Sequence, residues 1–320
     1  MAGGKGLSLM SGGLDSQLAI ALLRRAGATM EAVCFSTPFF DCTAAKSAAE
    51  SLGVRLHVVD FTDDELALIR NPLHGFGGAM NPCIDCHAMM IRRAGELMVA
   101  MGFDFVSTGE VMGQRPMSQN KQSLGIVERT SGLAGRLLRP LSAKLLEPTI
   151  PEAEGLVDRE MLLDISGRCR ERQIALAAEF GIVDYPSPAG GCKLTEEGFC
   201  RKLKDLMDHE GFGDRRLVEL LLTGRRFRLP DGSSVILGRD RNDNARLKQL
   251  KGLGLVISPV NVPGPTALIP VLGSEADLRL ARELVASYCK SDRLVGDIQL
   301  NQGFVPRPYD REKFREYQIC

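Results

Sequence analysis

The sequence predicts an α/β protein: a doubly wound parallel sheet followed by a smaller C-terminal α+β domain. Three observations carry this. Short apolar runs alternate with helix-period segments over residues 7–107. The loop "SGGLDS", rich in glycine and hydroxyls, joins the first run to the first helical segment. Beyond residue 193 the pattern changes to a charged amphipathic helix and a strand–turn–strand signal at Pro230-Asp231-Gly232.

The elements follow in order. Residues 7–10 form a first strand. Residues 14–25 form a helix, with Leu14, Leu18 and Leu22 on one face. Residues 30–35 are a strand, 44–52 a helix and 55–59 a strand. Residues 85–101 read as a helix whose Met90, Ala94, Leu97 and Met101 make a core stripe, and 104–107 as a further strand. Such alternation implies parallel strands with right-handed crossovers. Ligands in open sheets of this kind bind beyond the carboxyl ends of the strands. Ser11-Gly12-Gly13, Ser36-Thr37 and Thr108-Gly109-Glu110 fall there. The middle segment, 149–181, reads as helical, with one helix opening at Asp158 and another over 168–180. Residues 1–185 are thus expected to form the first domain and 193–320 the second.

Composition bounds the function. A chain of 320 residues has ample core for two domains. Lys+Arg and Asp+Glu both number 40, so bulk charge implies no polyanionic partner. No apolar run approaches the ~20 residues that span a membrane, and the N-terminus has no signal-peptide pattern. The nine cysteines, an odd number, argue for a reducing compartment with thiols kept free. A cytoplasmic location is expected.

The glycine loop has a physical rationale. A helix N-terminus presents unpaired N–H groups and the positive end of the dipole, so it attracts phosphate. Glycines admit the anion to the backbone and serines add donors. The spacing is neither a Walker loop nor the dinucleotide fingerprint. The bland reading is a glycine turn capped by Asp15.

Ser-Gly-Gly-Leu-Asp-Ser after a first strand resembles the PP-loop of the ATP pyrophosphatases, which cleave ATP between the α and β phosphates and adenylate a carbonyl oxygen. "NPCIDCHAMMIRRAGELM" from Asn81, "STGEVMGQRPMSQN" from Ser107 and "LLRPLSAK" from Leu137 are similar to the ATP-binding domain of tRNA 4-thiouridine synthases. The resemblance covers residues 6–151. It implies that Ser11, Gly12, Gly13, Asp15 and Ser16 hold the ATP phosphates, with Asp15 helping to position Mg²⁺. It also implies that Ser36, Thr108 and Gly109 line the nucleotide pocket and that Gln114 and Ser118 lie on the following loop. The THUMP and rhodanese regions of many such synthases have no counterpart in this sequence, so RNA capture and sulfur delivery need other residues.

Cys83 and Cys86 form a Cys-x-x-Cys at a helix start. Cys192 lies in the loop "SPAGGCKLT". This resembles the three-thiolate pattern of iron–sulfur tRNA thiolases, in which a [4Fe–4S] cluster keeps one open iron for hydrosulfide. Two other readings stay open: a persulfide on Cys192 or Cys86 resolved as a disulfide, and a zinc site completed by His87 or His74. Cys34 is expected to be buried, and Cys169, Cys200 and Cys289 to sit in helices; Cys42, after the second strand, is not counted among the site residues. Arg168, Arg170 and Arg172 are candidates for phosphate contact.

In the last part, "GRDRNDNARL" resembles the Gly-Arg-x-x-x-x-Asn-x-x-Leu segment of NFACT-R-type RNA-binding domains. Residues 200–252 hold 13 basic against 8 acidic residues, the density phosphate contacts need. The alternative is an accessory domain with a charged surface. The functional expectation is an enzyme that thiolates a tRNA uridine with ATP, at the 4-position rather than the 2-position, with tRNA and a donor of sulfide or persulfide sulfur as partners. An ATP pyrophosphatase with a non-RNA acceptor and an ATP-regulated RNA-binding protein are the alternatives.

Overall fold

In the computed structural model, residues 3–115, 117–187, 192–289, 297–306 and 310–319 are described. The chain divides into two compact units, Met1–Thr195 and Glu196–Cys320. The Cys192 segment therefore belongs to the first unit, and residues 188–191 of its loop lie outside the described residues. Among the described residues, no helix is long and apolar enough to cross a membrane.

The first unit runs β1 (Lys5–Leu9), α1 (Leu14–Arg25), β2 (Thr29–Ser36), α2 (Thr43–Leu52), β3 (Leu56–Asp60), α3 (Thr62–Arg70), α4 (Cys83–Met101), β4 (Phe105–Ser107), α5 (Lys121–Ser131), β5 (Leu137–Leu138), α6 (Ile150–Ala153) and α7 (Glu171–Glu179). The five strands are parallel, in the order β3-β2-β1-β4-β5. The chain moves outward from β1 first toward β3 and then toward β5, so the switch point falls between β1 and β4.

Both sheet faces are covered. Leu14, Leu18 and Leu22 of α1 pack with Ala32, Cys34 and Ala177 on one side. Ile91, Ala94 and Met98 of α4 pack with Leu7, Val33, Phe35 and Val106 on the other. The α4 core stripe is rotated from the expected one. Ile91, Ala94, Gly95 and Met98 are buried, Met90 and Leu97 lie on the margin, and Met101 is exposed. The cause is close packing on the neighbouring segment: a Cβ at Gly95 would lie 2.8 Å from the Leu133 side chain.

The middle segment is less helical than expected. Asp158 caps one 3-10 turn, Arg159–Met161, and α7 starts at Glu171 rather than at residue 168. Between them the backbone pairs with the chain after β5 (Leu163 N–H to Pro140 O, 3.0 Å; Ile165 N–H to Leu141 O, 2.8 Å). Extended pairing there excludes a helix.

The second unit holds α8 (Glu197–His209), α9 (Arg215–Glu219), β6 (Arg225–Arg228), β7 (Ser234–Leu237), α10 (Arg241–Gln249), β8 (Leu255–Ile257), β9 (Ala267–Val271), α11 (Glu275–Ser287), β10 (Ile298–Leu300), β11 (Gly303–Val305) and β12 (Gln318–Ile319). Its main sheet is antiparallel in the order β12-β6-β7-β9-β8, and β10 pairs with β11. The expected hairpin joins β6 to β7. Gly232 has φ +91° in the turn, and buried Asp277 accepts hydrogen bonds from Asp231 N–H and Ser233 N–H.

The Gly-Arg-x-x-x-x-Asn-x-x-Leu segment is structural at its defining positions. Asn244 Oδ1 accepts from Thr266 N–H at 2.9 Å, and Leu247 is buried in α10. A Cβ at Gly238 would lie 2.1 Å from Asn244 Oδ1, so that position has no room for a side chain.

Candidate active site

The loop after β1 is shaped by what its glycines touch. Gly12 has φ +81°, and a Cβ there would meet the Ala44 carbonyl carbon at 2.3 Å. Gly13 is the N-cap of α1 and makes no side-chain cap, which leaves the first-turn N–H groups of α1 to a ligand. Ser16 Oγ donates to Gly13 O at 2.8 Å, and Ser11 Oγ accepts from Gly13 N–H at 3.3 Å. Gln17 Nε2 ties Gly12 O to Asp184 O. Gly109 presses on the same turn from the end of β4: its Cβ would lie 2.6 Å from Ser16 N.

Asp15 anchors a polar cluster at this turn. Its Oδ2 accepts from Gln114 Nε2 at 2.8 Å and lies 3.8 Å from Arg170 Nη2. Gln173 Nε2 in turn donates to Gln114 Oε1 at 3.4 Å. Asp15 Oδ1, Arg170 Nε and Gln173 Oε1 are buried with no hydrogen-bond partner among the described residues. An unpartnered carboxylate oxygen at a helix N-terminus suits a hard cation carried with phosphates, so this donor set fits Mg²⁺. Sequence reasoning placed Asp15 and Gln114 here. It named Arg170 as a candidate for phosphate contact without placing it beside Asp15, and missed Gln173.

Ser36 ends β2, half-buried, and its carbonyl accepts from Phe61 N–H at 2.9 Å. Ser118 is buried in the loop after β4, and Pro116 beside it lies outside the described residues. Thr108 Oγ1 donates to Glu110 Oε2 at 3.1 Å rather than standing open. Glu110 is a second centre. It takes Arg139 Nε at 2.9 Å and His87 Nδ1 at 3.1 Å. Arg139 continues to Glu128 Oε2 and Leu124 O. Burial raises the Glu110 carboxyl pKa, but Arg139 and His87 outweigh it and hold it at about 2.

The thiols lie along the same edge. Cys83 and Cys86 open α4, and Asn81 Nδ2 donates to Cys83 Sγ at 3.1 Å. Burial pushes the Cys86 thiol pKa well up, reinforced by a hydrogen bond to Glu65 and by the charges of Cys192 and Cys83. Cys192 is thus brought within electrostatic reach of the Cys-x-x-Cys. It is half-buried, and the next N–H, of Lys193, donates to Phe39 O at 3.0 Å. Glu65 is almost fully buried, and burial raises its carboxyl to about 7 against the opposing pull of Cys86 and His87. Sequence reasoning missed Glu65, because nothing near Thr62 marks α3 as facing the thiols.

The expected thiolate set for a metal fares differently. Among the described residues, no three or more His, Cys, Asp or Glu side chains are grouped to hold a metal ion. His74, a candidate zinc ligand, is bound to Asp85, and His87 to Glu110. The expectation of free thiols is corrected at one pair. Cys34 and Cys42 form a buried disulfide, Cα–Cα 6.0 Å, because the end of β2 runs beside the start of α2. Cys200 is buried in α8, whereas Cys169 is exposed ahead of α7.

Residues 1–150 match the family described as thiamine biosynthesis protein (ThiI), and residues 224–302 match the family described as NFACT protein RNA binding domain. The chain joins a ThiI-type PP-loop domain to an NFACT-R-type domain. The ThiI-type part is 32% identical over 147 residues to "Probable tRNA sulfurtransferase" of Caldanaerobacter subterraneus subsp. tengcongensis, covering 43% of this chain and 37% of that protein. It is 30% identical over 148 residues to the protein of the same name from Staphylococcus aureus (strain MRSA252), covering 43% and 34%. The chain therefore spans about a third of the length of these relatives. A crystal structure of a 4-thiouridine synthetase–RNA complex with bound ATP aligns at 21% identity and a TM-score of 0.39, covering 68% of this chain and 52% of that one.

Several basic residues of the second unit are spent on internal ion pairs. Arg226 and Arg228 pair with Asp205 and Glu210. Arg239 pairs with Asp243 and Arg216 with Asp214. Arg241, Lys248 and Lys251, on α10 and just after it, are exposed and have no ion pair among the described residues.

Proposed function

We propose that this chain is an ATP-dependent tRNA thiouridine synthase that adenylates the O4 carbonyl of a uridine and replaces that oxygen with sulfur. One observation supports it above the others. Gly109 lies against Asp15 and Ser16, and the next residue, Glu110, binds His87, the neighbour of Cys86. Phosphate loop and thiols therefore share one edge of one sheet, as adenylation followed by sulfur attack requires.

ATP phosphates sit on the N-terminus of α1, between Ser11 and Ser16. Asp15 would hold magnesium, which would supply positive charge against the phosphates. The uridine oxygen attacks the α-phosphorus, and pyrophosphate leaves toward the Arg170 guanidinium. The chain's own work is positioning and charge stabilisation, since adenylate is a good leaving group.

The electrostatic coupling of Cys192 to the Cys-x-x-Cys supports persulfide chemistry. The terminal sulfur of a Cys192 persulfide attacks C4 and AMP leaves, giving a base–Cys192 disulfide. Cys86 then attacks Cys192 Sγ, releasing thiouridine and leaving a Cys86–Cys192 disulfide for an external dithiol to reduce. The hydrogen bond to Glu65 gives the Cys86 proton a carboxylate to move to. A [4Fe–4S] cluster on Cys83, Cys86 and Cys192 would require these residues to regroup around iron, so no step is routed through it. Transfer RNA binds the second unit through the exposed cations of α10.

Pyrophosphate release with and without tRNA, followed by mass spectrometry of the tRNA nucleosides, tests the reading. Release stimulated by tRNA, with 4-thiouridine formed from a persulfide donor, is expected. Release indifferent to tRNA ends it. Anaerobically purified protein with about four irons per chain would replace the persulfide route by the cluster.

A further inference from the structure

Twelve residues without regular structure, 71–82, connect α3 to α4. Loops of this length in a compact domain are commonly functional. This one is pinned to the thiol site at two points. His74 N–H donates to Asp85 Oδ2 at 2.9 Å, and its ring Nδ1 meets Asp85 Oδ1 at 2.5 Å. Asp85 is buried and stands between the two cysteines of the Cys-x-x-Cys. At the other end, Gly77 N–H donates to Asn81 O, Ala79 N–H donates to Asn81 Oδ1, and the Asn81 amide donates to Cys83 Sγ.

The loop still leaves large apolar side chains outside. Phe76 is 42% exposed and Leu73 is 78% exposed. Phe76 is held close to the thiols by its neighbour. A Cβ at Gly77 would lie 2.5 Å from Asn81 Nδ2, which is 3.1 Å from Cys83 Sγ. With one 3.8 Å Cα step added, the Phe76 Cα is no more than about 11 Å from that sulfur.

We propose that Phe76 is the stacking surface for the pyrimidine that receives sulfur. The inference rests on the thiouridine-synthase reading and names a residue that recognises its substrate. A base whose carbonyl must reach both an α-phosphate and a thiol has to leave its helical stack, exposing both faces. A partly exposed aromatic ring on a pinned loop replaces the lost stacking without further ordering of the protein. Leu73, on the same loop, is apolar but offers no ring.

The chain has no tryptophan, so Phe76→Trp makes its indole the sole reporter. The full-length protein is assayed with unmodified tRNA transcript. Phe76→Trp is expected to thiolate within about twofold of wild type, and its emission to fall as tRNA is added. Phe76→Ala and Phe76→Leu are expected to raise the KM for tRNA tenfold or more, with the KM for ATP and the denaturation midpoint unchanged. A wild-type KM for tRNA in Phe76→Ala overturns the assignment. So does Phe76→Trp emission that is unmoved by tRNA at a concentration saturating wild-type turnover. If wild type itself gives no tRNA-dependent turnover, the synthase reading fails and this assignment falls with it.

Discussion

Two of the clusters that combine arginine with carboxylate differ in how tightly they pair. Around Asp205 and Glu210 in the second unit, Arg226 and Arg228 are spent on multiple short pairs that tie β6 to α8 and the turn after it. Around Asp15 in the first unit, the arginine stands 3.8 Å off, and atoms of Asp15, Arg170 and Gln173 stay buried without hydrogen-bond partners among the described residues. The first cluster is dense with ion pairs, although Glu210 Oε1 and Arg226 Nη1 are also buried there without a hydrogen-bond partner among the described residues. The second is open to a ligand. Charge density in the sequence favours the wrong one, since the stretch richest in arginine is the one that pairs internally. What sets the Asp15 cluster apart is the wide arginine–carboxylate spacing beside a glycine loop at a helix N-terminus.

The largest expected effect separates the two clusters directly. Asp15→Ala should lower AMP formation by about 100-fold, the scale of removing one preorganised electrostatic group, with the urea midpoint nearly unchanged. Asp205→Ala should leave two buried arginines without their shared carboxylate. The cost is about 3 kcal/mol of stability, with AMP formation per folded molecule unaltered. Equal loss of activity in both, with both folded, would erase the distinction. The next effect is about tenfold. Arg170→Ala should raise the KM for ATP by that factor, whereas Arg172→Ala should not, because Arg172 pairs with Asp164 at an exposed surface.

Much of the fold was legible because its signals are local. The strand–helix alternation, the Ser11–Ser16 loop and the Pro230-Asp231-Gly232 turn each depend on residues close in sequence. α3 and α5 were not legible. "TDDELALIR" is too acidic at its start to show a clear apolar period, and "KQSLGIVERTS" carries Gly125 in mid-helix. Site residues divide along the same line. Asp15 announces itself in a motif, but Arg170 reaches it only because α7 packs against the face of α1. Glu65 meets Cys86, and Cys34 meets Cys42, only once the sheet has assembled.

The Glu110 centre sharpens the comparison through pH. Both of its carboxylate oxygens are hydrogen-bonded, and it borders the thiols. Its carboxyl is lowered from 4.5 to about 2. A depressed folded pKa gives stability that is fully present above the unfolded value and is lost as pH falls through the folded one. On ~1.4 kcal/mol per unit, the contribution is about 3 kcal/mol, lost between roughly pH 4.5 and pH 2. Glu110→Gln should flatten that part of the acid-unfolding curve. Denaturation midpoints across this range, with the same pH dependence in wild type and variant, would show that Arg139 and His87 do not hold Glu110 ionised.

The smallest effect belongs to the cations left over in the second unit. Replacing Arg241, Lys248 and Lys251 together by alanine removes no ion pair among the described residues, so stability should move by less than about 0.5 kcal/mol. Affinity for tRNA should fall only a fewfold near physiological salt. The sharper readout is the salt dependence. Each cation–phosphate pairing removed should lower the log–log slope by about 0.7–0.9, so the triple variant should be shallower by roughly 2. Replacing Arg216 and Arg239, which are already paired with Asp214 and Asp243, should leave that slope alone. An unchanged slope in the triple variant, or an equal change in the paired one, would show that leftover charge does not mark the RNA face of this unit.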